Sequence, residues 1–285
     1  MDVQRRDQAE PPTRDALLTA WRAEERGQPE GWDFSALEGR MVEDPVPWDL
    51  DRTYREVLTG TRTALDLGTG GGEHLLRFDG HLPDDTFAAE GWAPNVAVAR
   101  RLLAPHSIEV VHWAHDRDRE PPTPMPFPDA RFEVVLSRHE AYDAREIYRV
   151  LRSGGHFVTQ QVGGSELGEI HRALGLLPRY PEIDLARLAQ EAAQAGFEVL
   201  DADEHVGFYR FADVAALIAY LQRVPWDAPD DFSVDEYADE LLALHDDTIG
   251  AGRPLQATKI RFWLHLRKPE APSCPDEASR RMAAC

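Results

Sequence analysis

Lysine is nearly missing from this 285-residue chain: only Lys259 and Lys268 occur, so almost all of its 31 basic residues are arginine. Cysteine is as scarce, with Cys274 and Cys285 alone, both close to the C-terminus. Two such residues, outside every predicted element, leave neither a disulfide framework nor a cysteine metal site. No apolar run approaches the ~20 residues that a membrane span needs. The polar stretch from Met1 to Pro12 lacks the apolar centre of a signal peptide. The expected location is therefore cytoplasmic, with no membrane partner. Positive charge is also short: 51 acidic against 31 basic residues give a formal net charge of −20. A field of that sign opposes the phosphates of RNA or DNA and argues against a nucleic-acid partner. The 42% hydrophobic content suffices for one substantial core.

The chain is organised around Ala64-Leu65-Asp66-Leu67-Gly68-Thr69-Gly70-Gly71-Gly72-Glu73. Thr63 to Leu67 reads as a short buried strand that breaks into a glycine turn, and a helix opens near His74. Leucines on alternate positions suit a strand covered on both faces, while glycines allow positive φ and close approach of a ligand. The helix offers free N–H groups and the positive end of its dipole. Asp66, at the strand end, is placed to receive a ligand ammonium group. A dinucleotide fingerprint G-x-G-x-x-G starting at Gly68 would need its last glycine at 73, where Glu73 puts an anion against the pyrophosphate.

Downstream, Phe87 to Glu90 reads as a second strand ending on a carboxylate. It lies eighteen positions beyond Gly72, close to the ~20-residue offset at which an acid meets ribose hydroxyls in doubly wound folds. Gly91 and Trp92 follow, the indole lying along an adenine face or simply packing. Pro94 opens a helix to Leu103. Ile108 to Trp113 and Glu133 to Ser137 read as strands three and four. Ala144 to Leu151 is a helix stopped by a glycine C-cap at Ser153-Gly154-Gly155, and His156 to Gln161 is strand five.

The spacing D-x-G-x-G-x-G (Asp66, Gly68, Gly70, Gly72) resembles motif I of the class I S-adenosylmethionine (SAM)-dependent methyltransferases. The run EIYRVLRSGGHFVTQQVGG resembles a second segment of the same family, and the likeness spans residues 60–165. It implies a doubly wound, seven-stranded, mostly parallel sheet of the Rossmann-like methyltransferase fold. It also implies SAM as cofactor, S-adenosylhomocysteine as product, and cofactor contacts from Asp66, Gly68, Thr69, Gly70, Gly72, Glu90, Gly91 and Trp92. The family pattern places an Asp-Ala pair after strand three to meet the adenine amino group. This chain departs from it, with Ala114, His115 and Asp116 there, so His115 and Asp116 stand in as candidates. A metal reading of His112, His115 and Asp116 is disfavoured, because alternate side chains at a strand end do not converge.

Around that core, residues 1–13 and 269–285 read as disordered ends of a methyltransferase domain over 14–268. Residues 14–58 form an N-terminal helical flap, rich in Trp32, Phe34 and Trp48, that covers the cofactor cleft or seals a sheet edge. Arg40 is nominated there for the SAM carboxylate, against the alternative of a surface arginine. Strand six is read as Phe197 to Leu200 and Val206 to Tyr209 with a break, and Thr258 to Leu266 as the last strand. Between them, residues 212–252 form a two-helix insertion, read as a lid, a homodimer interface or extra core. Tyr220 and Trp226, with Trp48, are candidate substrate contacts.

At the end of strand four, Arg138 is a further cofactor candidate. His139 is the candidate general base and Glu140 its orienter or an amine binder. Gln160 and Gln161 hold a polar acceptor or satisfy local backbone. The reading is a SAM-dependent methyltransferase for a small-molecule acceptor. An RNA methyltransferase and a non-catalytic SAM-binding regulator are the alternatives, and the acceptor atom stays open.

Overall fold

The computed structural model describes residues 12–27, 34–116, 119 and 123–270. Most of the stretches expected to be disordered, and Trp32, lie outside the described residues. Helices are α1 (Arg14–Glu25), α2 (Leu50–Leu58), α3 (Glu73–Leu76), α4 (Ala93–Leu103), α5 (Ala144–Val150), α6 (Gly168–Ala173), α7 (Leu185–Ala195), α8 (Val214–Leu221) and α9 (Ala238–Asp247). Strands are β1 (Met41–Glu43), β2 (Thr63–Leu67), β3 (Asp85–Glu90), β4 (Glu109–His112), β5 (Phe132–Arg138), β6 (Leu151–Val162), β7 (Glu198–Phe211) and β8 (Leu255–Arg267).

The hydrogen-bonded strand order is β1-β7-β8-β6-β5-β2-β3-β4. The pairs β2/β3, β2/β5, β3/β4 and β5/β6 are parallel, whereas β1 meets β7 antiparallel with Met41 opposite Phe211. The sheet is the mostly parallel, Rossmann-like one expected, but among the described residues it has eight strands rather than seven. The extra one is β1. Three residues are too few to carry a period-2 pattern, and Gly39, at φ +71°, sets it off from the preceding turn.

Two other expectations change. The glycines at 154 and 155 do not cap α5: Leu151 is already extended and β6 runs through them, with Gly154 at φ +78°. Strand six has no break either. The polar run Asp201 to His205 hides the strand from a hydrophobic-pattern reading, yet β7 is continuous through it.

The chain forms two compact units. One comprises Asp49–Gln161, Leu185–Asp203 and Trp263–Cys285. Here α4 packs on β3 and β4, burying Val96, Ala99 and Leu103 against Ala88 and Val110. Leu103 is fully buried, a contribution of about 1.5–3 kcal/mol. The other comprises Met1–Trp48, Val162–Asp184 and Glu204–Phe262. Its core centres on α8, buried all round and capped by Asp213, whose side chain accepts from the Ala216 N–H at 2.8 Å. The inward faces of α1 (Leu18, Trp21) and α9 (Leu241, Leu242) join that core.

Candidate functional site

In an open parallel sheet, ligands bind beyond the carboxyl ends of the strands where the order reverses. That point is β2, flanked by β3 on one side and β5 on the other, so the glycine turn leaves the sheet at its switch point. The turn needs its glycines for stated reasons. Gly68, Gly70 and Gly72 have φ of +74°, +62° and +97°. A Cβ on Gly68 would lie 2.4 Å from the Cβ of Glu140, and one on Gly72 would lie 2.8 Å from Cγ of Leu103. The turn is thus pressed between α4 and the segment after β5.

Glu90 ties the turn to β3. Its Oε2 accepts from the Gly70 N–H at 2.7 Å, and its Oε1 from the Trp92 N–H at 2.8 Å. The Gly91 N–H also favours the charged form, and with about four acceptor positions on a carboxylate one remains for a ligand hydroxyl. Burial raises its pKa against those hydrogen bonds. Asp66, also buried, titrates at about 6, chiefly because of burial, with the Glu90 charge adding and the Thr69 hydroxyl and Arg138 opposing. Neither carboxylate forms an ion pair among the described residues. Two buried anions without a bonded cation fit a ligand that brings hydroxyls and a positive charge. A pyrophosphate at the turn would meet the Glu73 carboxylate, whose Oε2 lies 2.4 Å from where a Gly71 Cβ would be.

The segment after β5 is held from β6. His139 takes φ +64°, costly for a residue with a side chain, and such strain gathers at functional sites. Its backbone N–H donates to the Gln160 carbonyl at 2.8 Å, and its Nε2 lies 2.9 Å from Gln160 Nε2. Gln161 Nε2 donates to the Glu140 carbonyl at 3.0 Å and to Thr159 Oγ1 at 2.8 Å. Both glutamines therefore brace the His139-Glu140 segment. Tyr54, which sequence reasoning did not select, donates its buried hydroxyl to the Ser137 carbonyl at 2.8 Å. Nor did it select the close approach of Gly91 to Ala114, where an added Cβ would lie 2.4 Å from the alanine Cβ. Both small residues follow the ends of their strands, β3 and β4, and that position was the available signal.

The structure thus gathers Asp66, Gly68, Thr69, Gly70, Gly72, Glu90, Gly91, Trp92, Arg138, His139, Glu140, Gln160 and Gln161 at the carboxyl ends of β2, β3, β5 and β6. His115 is half-buried and Asp116 exposed in the segment after β4. No cluster of three metal-ligating side chains occurs among the described residues. Arg40, Trp48, Tyr220 and Trp226 belong to the other unit. There Arg40 binds both carboxylate oxygens of Glu24, at 3.2 and 3.0 Å, and also donates to the Ala36 carbonyl at 3.3 Å. Tyr220 is buried against Tyr209 and Phe211, while Trp226 is exposed.

A family model described as a methyltransferase domain matches residues 65–159, the stretch that contains this turn, Glu90 and the His139-Glu140 segment. Residues 65–159 are accordingly similar to a methyltransferase domain. Solved structures share the fold. A candidate methyltransferase from Bacillus halodurans is 18% identical with a TM-score of 0.54, covering 78% of this chain and 99% of its own. The YcgJ protein from Bacillus subtilis is 15% identical (TM-score 0.51, 78% and 98% covered). A protein of unknown function from Deinococcus radiodurans is 17% identical (TM-score 0.51, 90% and 100% covered). No curated protein sequence matches the chain.

Proposed function

We propose that this chain transfers a methyl group from SAM to a small-molecule acceptor. The observation that carries the reading is the buried Glu90 carboxylate, fixed to the Gly70 N–H yet with acceptor capacity to spare for a ribose hydroxyl. Asp66 holds the ammonium group, the glycine turn admits the donor's methionine portion, and Trp92 and Asp116 border the adenine. Bound there, SAM supplies a methyl carbon activated by the neighbouring sulfonium. The chain's own contribution is alignment and exclusion of water, which can lower a barrier by several kcal/mol.

For a hydroxyl or carbon acid, His139 accepts the acceptor's proton. The Gln160 amide sets how. With Nε2 receiving an N–H from Gln160, the ring keeps its proton on Nδ1 and has no free base; with the amide turned over, Oε1 accepts from Nε2–H and Nδ1 is the base. The net charge of −20 favours a small molecule over RNA. Among the described residues no helix is long and apolar enough to cross a membrane.

Calorimetric titration with SAM and S-adenosylhomocysteine tests the donor site. Gly70→Val is expected to abolish binding, and Glu90→Ala to weaken it about tenfold or more, as loss of hydrogen bonds to a charged group implies. Incubation with methyl-labelled SAM and fractionated extract tests the acceptor. Label in small molecules is expected; label in RNA, or in nothing despite tight donor binding, overturns that half of the reading.

A further inference from the structure

A cavity of about 420 Å³ lies wholly within the unit that contains α6, and its size is in the range of small-ligand pockets. Its wall mixes Leu176, Leu177 and Pro178 with His171, Glu169 and Arg172. Three features of that wall are unspent by the fold. Leu177 is 89% exposed, the most solvent-laid of the large apolar side chains among the described residues. Arg172 makes no ion pair within bonding distance among the described residues, and it interacts with Glu169 only through the charge of a carboxylate that accepts the Thr258 N–H at 2.8 Å and its hydroxyl at 2.7 Å. His171 is buried with its Nε2 3.4 Å from Asp227, and its Nδ1 has no hydrogen-bond partner.

The Asp227 carboxylate favours the proton on Nε2, which leaves a lone pair on Nδ1 and a vacancy for a donor. That nitrogen is shielded from the cavity as it stands, so any donor reaches it only when wall side chains move aside. Leaving a buried acceptor unmatched is destabilising. A cation at the mouth, an acceptor in the wall and an apolar rim together describe one ligand chemistry. We propose that this cavity is a second small-molecule site, taking an organic carboxylate with an apolar body and a hydroxyl. Arg172 binds the carboxylate, Leu176 and Leu177 cover the body, and the hydroxyl donates to His171 Nδ1. The site is independent of the methyl donor.

The test titrates the full chain with 4-hydroxybenzoate, benzoate and 4-hydroxybenzamide, followed by calorimetry and ligand-observed NMR. The hydroxy acid is expected to saturate at or below the millimolar range and to bind several-fold tighter than either analogue. Arg172→Gln, a change at an exposed position, weakens both acids about tenfold and leaves the amide alone. His171→Phe brings the hydroxy acid down to the level of benzoate. Gly70→Val leaves all three unchanged, which separates this site from the donor slot. No saturable binding of any probe to about 10 mM, a free energy weaker than about −3 kcal/mol, overturns the proposal. So does binding that Arg172→Gln does not alter.

Discussion

Two buried carboxylates, one in each unit, have opposite surroundings. Glu166 is fully answered. Its Oε2 binds the Arg261 guanidinium and accepts from the Ile260 N–H at 2.8 Å, while its Oε1 accepts from the Tyr209 hydroxyl at 3.0 Å. Arg261 also donates to that hydroxyl, closing the network. Asp66 is buried at the end of β2 with no ion pair among the described residues, beside a second buried carboxylate, Glu90. An ion pair and two hydrogen bonds fix Glu166 within its core, whereas Asp66 has no cation within bonding distance among the described residues.

The largest effect expected from that contrast is on stability. Glu166→Leu strands the Arg261 charge in the interior and should cost about 3–5 kcal/mol, read by urea unfolding. Adding Arg261→Met should restore most of it, because an apolar pair replaces a buried ion pair at little cost. Asp66→Asn should do the reverse. The folded-state pKa of about 6 stands above the unfolded value near 3.8, so the unfolded chain ionises first and stability falls as pH rises from about 4 to 6. At neutral pH the asparagine variant should therefore be more stable, by on the order of 2–3 kcal/mol, while SAM affinity drops. If both variants destabilise alike, the contrast fails.

His265 offers a finer probe of the sheet in the same unit as Asp66. Its Nε2 lies 2.9 Å from His156 Nδ1, and burial, with His156 adding, lowers its pKa to about 4. The unfolded histidine takes up its proton near 6.5, so this pair supports the fold above that pH and loses its contribution as pH falls from 6.5 to 4. His265→Asn should flatten that limb of the pH–stability curve, in a direction opposite to that of Asp66. Smallest of all, Arg40→Gln should lower the free energy of unfolding by no more than about 1 kcal/mol, since its pair with Glu24 is partly exposed. A larger loss would mean that the pair organises α1.

The readable and unreadable parts of this chain divide along the same physical line. Asp66 to Gly72 could be read directly, because a glycine turn after a buried strand is a local feature whose conformation the residues themselves impose. Glu90 could be placed by its distance from that turn. The braces could not. Gln160 and Gln161 had two readings of equal standing, and only the pairing of β6 with β5 turned them toward His139 and Glu140. Arg40 could be recognised as a cation in an aromatic stretch, but its partner, Glu24, is sixteen residues away on α1.

The sequence by itself determined the parallel core, the turn and the acids that face it, since strand periodicity, glycine φ and helix capping act over a few residues. Tertiary structure alone decided the eighth strand, the continuity of β7 through its polar middle, and the fate of each buried charge. Those depend on partners brought together across long stretches of chain, and a charge's worth is set by what stands beside it once water is gone.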